Sequence, residues 1–209
     1  GKQLTLAWRA RIAPAPVVFA AGTSAETTAT FSAPGAYLLQ LVADDGTMSA
    51  GDLVAVFVHP ELPPHARPIR IEAEHMLLEF HAVQEAAFAS GGKYVRKHTP
   101  MTTTLYTRLP LPAGNYDVVV GYFDENDGRA RVELELARGD FLGEHKTLLR
   151  QEWTYDQDLA GSEPSEQTAA RKHLGENVPL QPGDALRITT LADKNEWPTV
   201  DYIEFIPKE

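Results

Sequence analysis

The sequence predicts an all-β chain made of two sandwich-like units. Three features of the 209 residues carry that expectation: short apolar runs of period two, turn-forming dipeptides between them, and a single proline-rich break. Side chains alternate between faces along a strand, so alternation of period two marks half-buried strands.

Taken in order, the runs are Leu4-Leu6-Trp8, Tyr37-Leu39-Leu41, Val54-Val56-Val58, Leu105-Thr107-Leu109, Val118-Val120-Tyr122 and Val132-Leu134-Leu136. The last has Arg131, Glu133 and Glu135 on its opposite face. Pro34-Gly35, Asp45-Gly46, Ala113-Gly114, Asp127-Gly128 and Pro182-Gly183-Asp184 punctuate them as turns. Many short strands at this spacing imply sandwiches or barrels. Ser165 to Leu174, closed by Gly175, reads either as a helix with Ser165 as its N-cap or as a loop followed by a short strand. The stretch Pro60-Glu61-Leu62-Pro63-Pro64-His65-Ala66-Arg67-Pro68 cannot sustain a hydrogen-bonded ladder and reads as a short, stiff linker over 61–68. Domains of about 1–60 and 69–209 flank it.

Composition narrows the chemistry. The absence of cysteine excludes disulfides, thiolate metal sites and cysteine nucleophiles. The net charge is -10, and residues 1 to 60 account for only -1 of it, with Lys2, Arg9 and Arg11 set against Glu26, Asp44, Asp45 and Asp52. A field of that sign disfavours phosphate backbones and anionic lipid, which argues against nucleic-acid partners. The longest clean apolar run, Leu53 to Val58, is six residues, against the roughly 20 that span a bilayer. Membrane insertion is not expected. Lys2 to Ala21 is basic and then apolar, but Pro14 and Pro16 interrupt it, so it reads as mature sequence and not as a signal peptide.

In the first domain, Trp8, Val18-Phe19, Thr28-Ala29-Thr30-Phe31, Pro34-Gly35-Ala36-Tyr37, Ala43-Asp44-Asp45-Gly46 and Asp52-Leu53-Val54-Ala55-Val56 stand in an order that resembles the immunoglobulin-like or PKD-like repeats of bacterial exported proteins. Such repeats begin with two further strands, so the resemblance implies a partial immunoglobulin-like sandwich acting as a spacer. The second domain opens with Ile69-Arg70-Ile71-Glu72-Ala73-Glu74 and closes with Val200-Asp201-Tyr202-Ile203-Glu204-Phe205. Between them lie Ser90-Gly91-Gly92-Lys93-Tyr94-Val95, Leu111-Pro112-Ala113-Gly114-Asn115-Tyr116, Tyr122-Phe123-Asp124-Glu125-Asn126-Asp127-Gly128 and Gln181-Pro182-Gly183-Asp184. That succession resembles the galactose-binding-like β-jelly-roll sandwich of carbohydrate-binding modules, families six and thirty-five above all.

Two sites are expected. Glu72 and Glu74 share a parity on the opening strand, and Asp201 shares the parity of Ile203 and Phe205 on the closing one. If first and last strands pair, three carboxylates converge, and a hard cation relieves their repulsion; calcium suits because it takes six to eight oxygens. The resemblance likewise implies a structural calcium on the equivalents of Glu72, Glu74 and Asp201. The alternative is strand-edge salt bridges to residues such as Arg70.

A sugar site needs flat aromatic faces with a few hydrogen-bonding groups in a concavity. The resemblance places aromatic platforms at Tyr94 and Trp153 and an amide at Asn195. Glu196 and Trp197 adjoin Asn195, and Asp156 and Asp158 follow Trp153. The alternative has Trp153 and Trp197 capping the core. Lys93, Arg96, Lys97 and His98 form a basic cluster that suggests an anionic glycan, or else a solvated strand end. Lys194-Asn195-Glu196-Trp197-Pro198-Thr199 departs from the family pattern, and Trp197 either adds a platform or blocks the pocket. Asp124 to Gly128 reads as a hairpin turn and not as a calcium loop. The seven histidines show no metalloprotease spacing, and no nucleophile or phosphate-loop motif is present.

The expected function is therefore a non-catalytic module that binds poly- or oligosaccharide, with a catalytic domain or further modules in the parent chain, located extracellularly, on the cell surface or in the periplasm. The alternative is a structural or protein-interaction module of a surface assembly, with a polysaccharide lyase or hydrolase behind both.

Overall fold

The computed structural model describes residues 4–62, 67–193 and 195–208. The chain divides into two compact units, Gly1–Pro60 and Glu61–Glu209. Of the expected linker, Pro63 to Ala66 lie outside the described residues.

The first unit has five strands: β1 (Thr5–Ile12), β2 (Val17–Phe19), β3 (Ala29–Phe31), β4 (Gly35–Asp44) and β5 (Ser49–Val58). They form an antiparallel sheet β1-β4-β5 and a ribbon β2-β3. Tyr37 is its fully buried centre, 4.6 Å from the Phe31 ring, and Trp8 stacks on Phe19. The Tyr37 hydroxyl donates back to Ala33 O at 2.8 Å, which fixes the corner where the chain enters β4. At the β4–β5 turn Asp45 accepts from the backbone N–H groups of Thr47 and Met48, and Gly46 takes a φ of +84° that L-residues disfavour.

The second unit has eleven strands: β6 (Ile69–Glu72), β7 (Leu77–Leu78), β8 (His81–Glu85), β9 (Lys93–Lys97), β10 (Thr103–Arg108), β11 (Gly114–Phe123), β12 (Arg131–Gly139), β13 (His145–Thr154), β14 (Ala169–Leu180), β15 (Ala185–Leu191) and β16 (Thr199–Pro207). One sheet runs β13-β12-β15-β10-β7, the other β14-β11-β16-β9-β8, and β6 also pairs with β16. Their facing sides enclose a single core, as in a jelly-roll β-sandwich. The period-two runs supply that core: Leu105, Thr107, Leu109, Val118, Val120, Val132, Leu134 and Leu136 are all fully buried. On the other face of β12, Glu135 is also buried, because Thr147 and Arg187 cover its carboxylate at 2.8 and 2.7 Å. Tyr116 repeats the corner of the first unit, its hydroxyl donating to Pro112 O at 2.8 Å.

Of the two readings of Ser165 to Leu174, the structure has the loop followed by a strand: residues 165 to 168 form a turn that leads into β14, which is longer than the short strand expected. One local expectation is corrected. The Asp124–Gly128 segment is no hairpin, since β11 and β12 belong to different sheets and the segment crosses between them. A Cβ at Gly128 would lie 2.5 Å from the Glu196 side chain, so glycine permits the close crossing.

Candidate functional site

Glu72, Glu74 and Asp201 are gathered around one turn, though not by strand parity. β6 ends at Glu72, and Glu74 lies in a 3-10 turn, Ala73–His75, where alternation no longer applies. On β16, Gly121 pairs with Tyr202 and Tyr122 with Val200, which leaves Asp201 as the extra residue of a β-bulge. Val200 and Ile203 point into the core, and the bulge re-aims Asp201 away from it. Its carboxylate accepts the Ser90 N–H at 3.0 and 3.1 Å, and Ser90 Oγ donates to Glu72 Oε1 at 2.9 Å. Gly91, at φ +61°, brings bare backbone up to the Glu72 and Glu74 carboxylates.

Glu72 Oε2 and Glu74 Oε2 are buried without a hydrogen-bond partner. Burial, reinforced by the Glu72 and Asp201 charges, pushes the Glu74 carboxyl up to about 7. Burial likewise pushes Asp201 up to about 6 and raises Glu72. Orphaned buried carboxylate oxygens are what a hard cation would satisfy, and the Ser90 hydroxyl beside Glu72 is a further oxygen. The side chains are oxygen donors of the kind calcium takes, but among the described residues no three carboxylate, histidine or cysteine side chains stand in an arrangement that could hold a metal ion.

The residues expected to bind sugar are dispersed. Trp153 lies on β13 opposite Val132, only 5% exposed, within van der Waals reach of the Tyr122 and Tyr155 rings. It is a core residue and no platform, because the strand continues through the segment expected to be a loop. Tyr94 is buried in a small cluster with Phe123 and Ala89, against Phe88, so its face is not open either. Glu196 is fully buried and structural: Oε1 accepts from Glu125 N and Oε2 from Ala130 N, both at 3.1 Å, tying the β15–β16 connection to the crossing. Lys97 is 1% exposed and donates to Thr190 O at 2.7 Å, which removes it from the basic surface cluster.

Asn195, Asp156 and Lys93 are exposed, and Asp158 is paired with Arg129. Trp197 and Arg96 are half-buried and line one shallow pocket with Gln84 and His98. Arg96 spends its guanidinium on Glu163 at 2.6 Å and Glu125 at 3.6 Å. Trp197 thus borders that pocket.

Two features were not foreseen. Asp124 and Glu125 are fully buried: the backbone of Asp156 and Gln157 stands beside the Asp124 carboxylate, neither Glu125 oxygen has a hydrogen-bond partner, and burial pushes Glu125 up to about 8 and Glu196 up to about 7. On the outer side of the six-stranded sheet, Glu204 joins two arginines, Arg70 at 2.8 Å and Arg171. No sequence signal announces either, because each depends on residues brought together from separate strands.

Fold and site define a jelly-roll β-sandwich with a gathered carboxylate pocket where its first and last strands meet. No family model matches the chain. It is 30% identical over 145 residues to an alpha-glucuronidase of Hypocrea jecorina, covering 68% of this chain and 16% of that protein. A probable alpha-glucuronidase A of Aspergillus terreus is 30% identical over 148 residues, with 17% of its length covered. The chain thus spans about one sixth of the curated relatives it matches. Similar solved structures include a family 35 carbohydrate binding module from Clostridium thermocellum (18% identical, TM-score 0.46, 68% of this chain and 100% of that one) and the C-terminal CBM6 of a Zobellia galactanivorans laminarinase (17% identical, TM-score 0.44, 67% and 99%). Among the described residues no helix is long and apolar enough to cross a membrane.

Proposed function

We infer that the second unit is a non-catalytic carbohydrate-binding module, carrying a structural calcium on Glu72, Glu74 and Asp201, with the first unit as a spacer. The observation that carries the reading is the half-buried Trp197 in an open pocket with Gln84, Arg96 and His98. An indole beside amide and imidazole groups matches the amphipathic surface of a pyranose ring. The resemblance to alpha-glucuronidases over a sixth of their length supports a place beside a glucuronidase-like catalytic domain, and our reading sets that domain on a polysaccharide outside the cytoplasm. The module would hold that polysaccharide near the catalyst and raise its effective concentration. The carboxylates present do not by themselves make a glycosidase, whose acids must flank a bound glycosidic bond.

Titration calorimetry of the full chain against a panel of neutral and acidic xylo-oligosaccharides tests the reading. Trp197→Ala is expected to weaken binding about tenfold or more, the scale of a lost aromatic contact plus its buried area. Unchanged affinity in a variant that melts like the parent would remove Trp197 from the site.

A further inference from the structure

We propose that Glu125 is a proton switch for the Trp197 pocket, acting through Arg96: when the Glu125 carboxyl ionises, Arg96 turns from Glu163 to Glu125 and sugar binding weakens. The proposal rests on the reading of that pocket as a saccharide site and supplies its regulation.

Glu125 lies on the crossing between β11 and β12, fully buried, and neither of its carboxyl oxygens has a hydrogen-bond partner. Arg96, on β9, stops short of it, with Nη2 3.6 Å from Oε2. A charge-assisted N–H···O bond would close to roughly 2.7–2.9 Å. Arg96 Nη1 closes instead on Glu163 at 2.6 Å, in the loop between β13 and β14. The Glu163 side chain is 71% exposed. One guanidinium thus stands between two carboxyl groups, one dry and one wet, and is bonded to the wet one.

That division suits a neutral Glu125. With its proton on, Arg96 and Glu163 balance each other's charge. With its proton off, a buried carboxylate would lie unpaired, which costs far more than an exposed ion pair gains. Arg96 is the cation placed to answer it. The other charged groups acting on Glu125 are acids: Asp127 on the same crossing, Glu163, and Glu196 on the β15–β16 connection. Asp124 adjoins it in the chain, and the Tyr94 and Tyr155 phenols are within its electrostatic reach. Burial, reinforced by Asp127, Glu163 and Glu196 against the pull of Arg96, pushes the Glu125 carboxyl up to about 8. The neutral form therefore persists through neutral pH and is lost above it.

The pocket feels the change because Arg96 is part of its lining, with Gln84, Lys97, His98 and Trp197. Drawn toward Glu125, the Arg96 side chain withdraws from beside a bound ring and releases Glu163 to solvent. Affinity is then highest while Glu125 is protonated and falls as pH climbs through its titration. His98 is also titratable and lines the same pocket, so the switch is read as a difference between parent and variant.

Two measurements on the full chain test this. Without ligand, NMR follows the Glu125 carboxyl carbon and the Arg96 Nε–H from pH 6 to pH 9. The two are expected to move together in the parent, and Arg96 is expected to stay still in Glu125→Gln. Calorimetry with xylotriose and with a glucuronate-bearing xylotriose, at pH 6, 7.5 and 9, should show the parent losing about threefold to tenfold in affinity, the scale of one polar contact. Glu125→Gln should hold its pH 6 affinity throughout. Glu163→Gln frees Arg96 for Glu125, so it should move both the carboxyl titration and the loss of affinity to lower pH. Binding that is independent of pH, or that falls equally in parent and Glu125→Gln, would overturn the switch, as would an Arg96 signal that ignores the Glu125 titration. Absence of binding at pH 6 would instead remove the saccharide reading on which the switch rests. Should Glu125→Gln misfold, the Arg96 signal of the parent and the shift in Glu163→Gln decide the question.

Discussion

Removing or supplying calcium should change the melting temperature of the protein by several degrees, and the carboxylate pocket sets the scale. In the metal-free fold Asp201 is pushed from its usual 3.8 up to about 6, and Glu74 from 4.5 up to about 7. At about 1.4 kcal/mol per pKa unit, holding each of these ionised inside the fold at pH 7 costs roughly 3 kcal/mol relative to the unfolded chain. The two do not simply add, because part of the Glu74 shift is the charge on Asp201. Calcium would remove most of that cost. At a hundredfold excess over its dissociation constant, a ligand of the native state adds about 2.7 kcal/mol. For a chain of this length that corresponds to a rise of roughly 5–10 °C.

The pH dependence has a defined sign. Both carboxyls have raised native values, so their contribution is fully favourable below about 4 and is lost as pH climbs through 6 and 7. Calcium should flatten that decline. Differential scanning calorimetry in millimolar calcium or in chelator, at pH 5 and pH 7.5, measures both effects. Glu74→Gln should stabilise the metal-free form near neutrality and blunt the calcium response. A melting temperature equal in calcium and chelator at pH 7.5, with no calcium found by elemental analysis, would refute the site.

Two further expectations follow from burial. Trp153→Ala should cost about 3–5 kcal/mol in denaturant unfolding, the usual price of an aromatic-to-alanine change in a core; a loss below about 1 kcal/mol would mean that the ring is not packed as the Tyr122 and Tyr155 contacts indicate. Glu125 is protonated below about 8, so its contribution is complete below 4.5 and disappears as pH rises through 8. Glu125→Gln should therefore lose less stability than the parent between pH 6 and pH 9 in urea titrations, and parallel losses in the two proteins would show that Glu125 does not titrate in that range.

How much of this the sequence discloses depends on the range of the interaction. Val132-Leu134-Leu136 and Val118-Val120-Tyr122 are legible because a strand writes its buried face into alternate positions, and the structure buries every one of those residues. The corners at Tyr37 and Tyr116 are not read from the sequence, although in each the hydroxyl and its acceptor are only four residues apart. Trp153 misleads because a tryptophan among Glu152, Thr154, Tyr155 and Asp156 looks like a loop residue until its partner strand β12 is known. Glu196 misleads in the same way: its acceptor role requires the N–H groups of Glu125 and Ala130, about seventy positions earlier. The parity of Asp201 fails for a different cause. A bulge adds one residue, and one residue reverses every later face.

That bulge has a structural reason, and the reason bears on the carboxylate pocket. Along one edge β16 changes neighbours: Tyr202 to Phe205 pair with β6, and Thr199 and Val200 pair with β9. Asp201 stands at the changeover and reaches the turn Ser90–Gly92 that leads into β9. The carboxylate pocket is therefore the joint of three chain segments: the end of β6, the entry to β9 and the middle of β16. A cation there would clamp together strands far apart in sequence, in a chain that has no cysteine to do so. Arg70 lies two positions before Glu72 and Tyr202 one after Asp201, so fixing the joint also fixes the arginine, the ring beneath it and, two positions further along β16, Glu204. Calcium at the joint would thus hold the Arg70–Glu204 pair and the Tyr202 ring in register.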